Sequence, residues 1–131
     1  MRNTKDKKSN KFSLIKRINS ANHAWRGVML VVKTSHNMWG HILISLLAIY
    51  LGFILNINKT EWMFLIFVMF LVFITEILNS ALEVDIDLTS PTYHPYARDT
   101  KDMAAGAVLL AVLLSLTTAL FIFAPKIIAM L

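Results

Sequence analysis

Polar and apolar positions divide this chain into a polar start, one amphipathic stretch and three long apolar runs. Residues 1–11 (MRNTKDKKSNK) are polar and charged and read as a disordered basic tail. From there Phe12, Ile15, Ile18, Trp25, Val28, Met29 and Val32 recur at steps of three, four or seven, as on one helix face. Lys16, Asn19, His23, Arg26 and Lys33 fall mainly elsewhere on the wheel. The pattern predicts a helix over about 12–36 on a membrane surface, with Trp25 at the interface and its basic side chains near lipid headgroups. The apolar runs occupy about 40–57, 62–83 and 103–124, each close to the roughly 20 residues a bilayer requires. Asn56 to Glu61 reads as a tight turn, with Thr60 as the N-cap of the helix that follows. Pro125 and Lys126 mark the end of the last run. Buried soluble helices would need polar faces, and these runs have almost none. The expected fold class is an all-α membrane protein with a single domain over 12–131.

Composition sharpens that picture. Hydrophobic residues make up 56% and charged residues 16% of the 131 positions, against roughly 45–50% and about 25% in soluble domains. With no cysteine, disulfides, thiolate metal sites and cysteine nucleophiles are excluded. The net charge of +5 is unevenly placed: nine of the thirteen Lys and Arg residues lie between Arg2 and Lys33, where only Asp6 opposes them. No aromatic-basic interleaving or recognition motif accompanies these charges, which argues against nucleic acid. A secretory signal is set aside because no apolar run of suitable length follows the opening charges. The charge bias instead predicts a cytoplasmic N-terminus. The loop from about Val84 to Asp102 then returns to the cytoplasm and the C-terminus lies outside. Nearly every ionisable group gathers on one side of the membrane.

The chemistry sits on the second run. Glu76 and Glu83 are seven residues apart, two helical turns on nearly one face, with Asn79 and Ser80 between them and Asp87 one turn beyond. A carboxylate inside an apolar span costs a few kcal/mol on insertion scales. Glu76 lies 14 residues past Trp62, roughly 21 Å at helical rise, and so toward the cytoplasmic end. Pairing with a Lys or Arg of a neighbouring helix is the bland alternative, and three aligned polar groups weaken it. Arg98, Lys101 and the Tyr93-His94-Pro95 turn bring complementary groups. Cations beside a carboxylate pair suit a phosphate-bearing substrate with a divalent metal, although interfacial anchoring explains Arg98 and Lys101 as well. Gly27, Gly40, Gly52 and Gly106 are too scattered for a phosphate-binding loop. His36 and His41 are five apart, a poor match to a helical zinc pair. His23 and His94 are better placed to pack against or hydrogen-bond a nucleotide.

Glu76-Ile77-Leu78-Asn79-Ser80-Ala81-Leu82-Glu83, then Asp87, Tyr93-His94-Pro95 and Lys101-Asp102-Met103-Ala104-Ala105-Gly106-Ala107-Val108, closely resembles the prokaryotic diacylglycerol kinase family. The resemblance runs from about Asn22 to Ala124. It implies a small trimeric membrane kinase using ATP and Mg²⁺, in the bacterial cytoplasmic membrane. By that resemblance Glu76 is the catalytic carboxylate on the substrate hydroxyl and Asn79 orients the reacting groups. Glu83 holds the metal that bridges the ATP phosphates, and Lys101 with Asp102 engages the nucleotide. Lys16 or Arg17 falls where the family has a basic residue near substrate and nucleotide. Trp25 and Gly27 match the surface-helix pattern on the substrate side, and Asn37 and His41 match the N-x-x-x-H of the Gram-positive type.

One position departs from the pattern. Counting from Gly27, Ser35 stands where the family places a second metal-binding glutamate, and no acid occurs between Asp6 and Glu61 to replace it. A hydroxyl is a weak Mg²⁺ ligand, so water must complete the shell; weaker metal affinity, a shifted metal position or lost activity is the expected consequence. The expected activity is phosphorylation of diacylglycerol to phosphatidic acid. The alternative is an undecaprenol kinase, toward which Tyr93-His94-Pro95 and Asn37…His41 lean. A different class is a non-enzymatic membrane subunit, for which the missing carboxylate at Ser35 is the best support.

Overall fold

A computed structural model describes residues 14–130, so the basic tail over 1–11 and the start of the amphipathic stretch at Phe12 lie outside the described residues. Four helices follow in order: α1 Leu14–Thr34, α2 His36–Ile54, α3 Lys59–Thr89 and α4 Pro95–Ile128. There is no strand among the described residues. The last three helices are each long and apolar enough to cross a membrane, and many of their large side chains face outward. Phe53, Phe67, Leu110 and Phe121 are all exposed. In water such a surface would drive aggregation. In a bilayer it is the solvated face.

The last turns of α1 pack on the other helices. Val31 is buried and Val28, Met29 and Val32 are half-buried, whereas Ile18 and Trp25 remain exposed. The α1–α2 break is a single residue. Ser35 is extended (φ −90°, ψ 119°), and its hydroxyl accepts from the Met38 backbone N–H as the N-cap of α2.

The α2–α3 turn differs from the expected capping. Asn58, not Thr60, is the N-cap: its side chain accepts from the Glu61 N–H at 3.0 Å while the Glu61 carboxylate accepts from the Asn58 N–H at 2.7 Å. Glu61 three residues after Asn58 completes a reciprocal capping box, which Thr60 has no partner to form. Asn56 takes the left-handed conformation (φ 47°) that Asn tolerates better than most residues. The hairpin is tight. A Cβ on Gly52 would come within 2.8 Å of the Trp62 ring, whose neighbour Phe53 packs at 4.9 Å between centroids. Ile57, Leu65, Met69, Ile122 and Phe123 form the core at this end. The Lys126 ammonium meets Glu61 at 3.2 Å, tying the end of α4 to the start of α3.

At the opposite end the stretch from Val84 to Asp102 is not a loop. Helix α3 continues to Thr89 and α4 begins at Pro95, leaving only 90–94 between them. Polar residues there continue a helical hairpin beyond the apolar segment, because helices of 31 and 34 residues (about 46 and 51 Å long) exceed the roughly 30 Å hydrocarbon core. Pro95 at the first helical position is compatible with a helix start, where its missing N–H costs nothing. Pro125 likewise does not end α4, which runs on to Ile128.

Candidate functional site

On α3 the buried positions are Leu65, Val68, Met69, Val72, Glu76, Asn79 and Ile86. They recur at three and four, so Glu76 and Asn79 belong to the same inward face as the apolar core. That is why both are buried, at 1% and 7% exposure, whereas Glu83, Asp85, Asp87, Asp99 and Asp102 are exposed. Glu76 meets the start of α2. The Ser35 hydroxyl donates to Oε1 at 2.7 Å, and His41 Nε2 lies 3.9 Å from Oε2. The nearby N-terminus of α2 adds a favourable field for a carboxylate. Among the described residues, no ion pair joins Glu76 to a lysine or arginine of a neighbouring helix; its ion-pair neighbour is His41. One turn on, the Asn79 amide donates to Glu83 Oε1 at 3.1 Å. Two buried acceptors lack a hydrogen-bond partner among the described residues: Glu76 Oε2 and Asn79 Oδ1. An orphaned buried acceptor costs about 1–3 kcal/mol, and two adjacent ones mark a place prepared for a donor or a cation.

These side chains line an open cleft of about 430 Å³, walled by Ser35 and Asn37 on one side and Glu76, Asn79, Glu83 and Asp87 on the other. A second cleft, of similar size, lies across the α3–α4 end. Tyr93, His94, Arg98, Lys101 and Asp102 line it, and Asp87 is common to both. The Lys101 ammonium is paired with the Asp87 carboxylate across the helical hairpin. Arg98 faces Asp102 at 3.6 Å one turn along α4. The His94 ring packs against Tyr96, 5.6 Å between centroids.

The structure thus brings Ser35, Glu76, Asn79 and Glu83 to one cleft and His94, Lys101 and Asp102 to its neighbour. Lys16, Arg17, His23 and Trp25 line neither. His23 borders a separate depression along α1 with Arg26, Gly27 and Lys33. Trp25 edges an entirely apolar groove between α1, α2 and α3, floored by Met38, Ile42, Phe70 and Phe73.

A family model described as Prokaryotic diacylglycerol kinase matches residues 22–123, which takes in all four helices and both clefts. This chain belongs to that family. Among relatives, the undecaprenol kinase of Bacillus subtilis is 33% identical over 121 residues, 92% of this chain and 98% of that protein. The diacylglycerol kinase of Escherichia coli K12 is 31% identical over 101 residues, 77% of this chain and 83% of that protein. A diacylglycerol kinase of Synechocystis is 39% identical over 93 residues, 70% of this chain and 53% of its own length. Membership makes this a bacterial membrane lipid kinase.

Two features of the family site escaped the sequence reading. The Ser35 hydroxyl, from sequence a stand-in metal ligand, is engaged twice, by Glu76 and by the Met38 N–H. A serine a few residues ahead of an apolar run is an N-cap signal that points to the α1–α2 break. The approach of His41 to Glu76 joins residues 35 apart in sequence, and periodicity on one helix carries no information about it.

Proposed function

We propose that this chain transfers the γ-phosphoryl group of ATP to the hydroxyl of a membrane lipid alcohol, with undecaprenol the favoured acceptor and diacylglycerol the second reading. The similarity to an undecaprenol kinase over 98% of that protein's length carries the preference. The Asn37 and His41 pair, both at the site, favours it too. Diacylglycerol is supported by the relatives named for that activity.

The buried, half-partnered carboxylate of Glu76 carries the chemical reading. Glu76 accepts the proton of the lipid hydroxyl as that oxygen attacks the γ-phosphorus and the bond to ADP breaks. The products are the lipid phosphate, ADP and one proton. Phosphoryl transfer asks mostly for positioning and charge neutralisation, with about 10²–10⁴-fold from general-base help. Asn79 holds Glu83 in register through its amide. Lys101, Asp102 and His94 line the neighbouring cleft and suit the nucleotide. The apolar groove edged by Trp25 suits the lipid chain.

Among the described residues no three His, Asp or Glu groups cluster as a ready cage. Mg²⁺ does not need one: it takes one or two carboxylates and fills its shell with water and phosphate oxygens. Glu83 and the orphaned Asn79 Oδ1 fit that requirement, with Ser35 engaged elsewhere. Such an ion neutralises phosphate charge. A cytoplasmic N-terminus and a homotrimer complete the reading, the basic groups Lys16, Arg17 and His23 on α1 serving a neighbouring copy's nucleotide.

The test is labelled ATP with purified protein in micelles, offered undecaprenol and diacylglycerol in parallel across a Mg²⁺ titration. Faster labelling of undecaprenol supports the first reading, and faster labelling of diacylglycerol replaces it with the second. Label in neither lipid overturns both.

A further inference from the structure

Glu76 is held at one oxygen only. Ser35 satisfies Oε1 at 2.7 Å, while Oε2 is buried and has no hydrogen-bond partner among the described residues. His41 Nε2 lies 3.9 Å from Oε2. That is too long for a hydrogen bond and about 1 Å short of becoming one. Hydrogen bonds of this kind are often loose in empty sites and tighten when substrate is bound.

The surroundings of His41 favour such a closure. Its side chain is 19% exposed and borders a small gap of about 50 Å³ between α2, α3 and α4, walled largely by Met69, Val72 and Val112. The other polar neighbours in that gap are the short hydroxyls Ser45 and Ser115, and Glu76 is the charged group within ion-pair distance. The imidazole therefore has room to move and one strong acceptor to move toward. Ser35 and His41 flank the first turns of α2, so a single helix end presents a donor to each carboxylate oxygen. Each oxygen retains a further acceptor site for the lipid hydroxyl.

We infer that His41 is a positioning residue for Glu76, donating from Nε2–H to Oε2 in the loaded enzyme and, with Ser35, fixing the plane of the carboxylate. This rests on the reading of Glu76 as the group that takes the hydroxyl proton. Loss of one oriented, charge-assisted hydrogen bond predicts about a tenfold to hundredfold fall in kcat.

The experiment compares wild type, His41→Gln and His41→Leu, each purified as the full chain, in saturating ATP and lipid, with thermal unfolding measured alongside. Wild-type turnover is the control for the functional reading, since no transfer by wild type removes that reading irrespective of His41. With wild type active, His41→Leu loses kcat about tenfold or more while KM for ATP stays within about twofold. His41→Gln, whose amide reaches as far and still donates, recovers most of that loss. If the leucine variant does not assemble, His41→Ala takes its place with the same expected loss. Wild-type kcat in the variant lacking a donor, equal losses with and without a donor, or an effect confined to KM would each overturn the assignment.

Discussion

Replacing Ser35 by alanine removes two interactions at once, and their sizes follow from the contacts. The hydroxyl donates at 2.7 Å to a carboxylate that is 1% exposed. Hydrogen bonds to charged groups contribute about 1.5–3 kcal/mol, well above the average of about 0.6 kcal/mol for interhelical bonds in a membrane. The same oxygen caps α2 by accepting from Met38 N at a long 3.3 Å, at the weak end of the roughly 0.5–2 kcal/mol range for N-caps. Ser35→Ala should therefore lose about 2–4 kcal/mol, most of it from Glu76. Ser35→Thr keeps the hydroxyl and should stay within about 1 kcal/mol of wild type. The assay is reversible unfolding of both variants and wild type in the same mixed micelles. An alanine variant within about 0.5 kcal/mol of wild type would refute the view that this hydroxyl supports the buried carboxylate.

Three further outcomes follow from other parts of the molecule. Ser35→Glu adds a carboxylate to the cleft that holds Glu76, Glu83 and Asp87, so it should lower the Mg²⁺ concentration for half-maximal transfer. An unchanged or higher Mg²⁺ requirement counts against a metal at Glu83. Lys101→Met removes a cation from the second cleft and should raise KM for ATP about tenfold or more at little cost in unfolding temperature. Steady-state kinetics that leave KM for ATP unchanged would remove Lys101 from the nucleotide site. Gly52→Leu must displace the Trp62 ring, which a Cβ alone would meet at 2.8 Å. Overpacking of this kind costs about 1–3 kcal/mol, read as lowered stability with kcat preserved in the protein that remains folded.

The four helices and the aligned faces of Glu76, Asn79 and Glu83 were legible because helical period is a local property of the chain. The seven-residue spacing of the two glutamates alone places them on one side of α3. The Val84–Asp102 segment reads as a loop from sequence because the apolar runs stop at its borders, whereas most of it is helical. Polar residues form helices as readily as apolar ones once the helices leave the bilayer, and the Asp87–Lys101 pair that joins α3 to α4 spans 14 residues. Asn58 rather than Thr60 caps α3 because Glu61 stands three residues after it and completes the capping box. The partners of Glu76 on α2 were not legible at all, since Ser35 and His41 reach it only through the packing of α2 on α3. Family resemblance supplied roles for single residues, and the contacts among them came from the fold.

The most direct test of the account is transfer of labelled γ-phosphate from ATP into the lipid fraction by purified wild type beside Glu76→Gln, an isosteric change that leaves helix packing intact. The account predicts lipid-soluble label from wild type in undecaprenol or diacylglycerol, and a fall of about 10²-fold or more in Glu76→Gln at equal folded protein. Equal rates from the two proteins would contradict it.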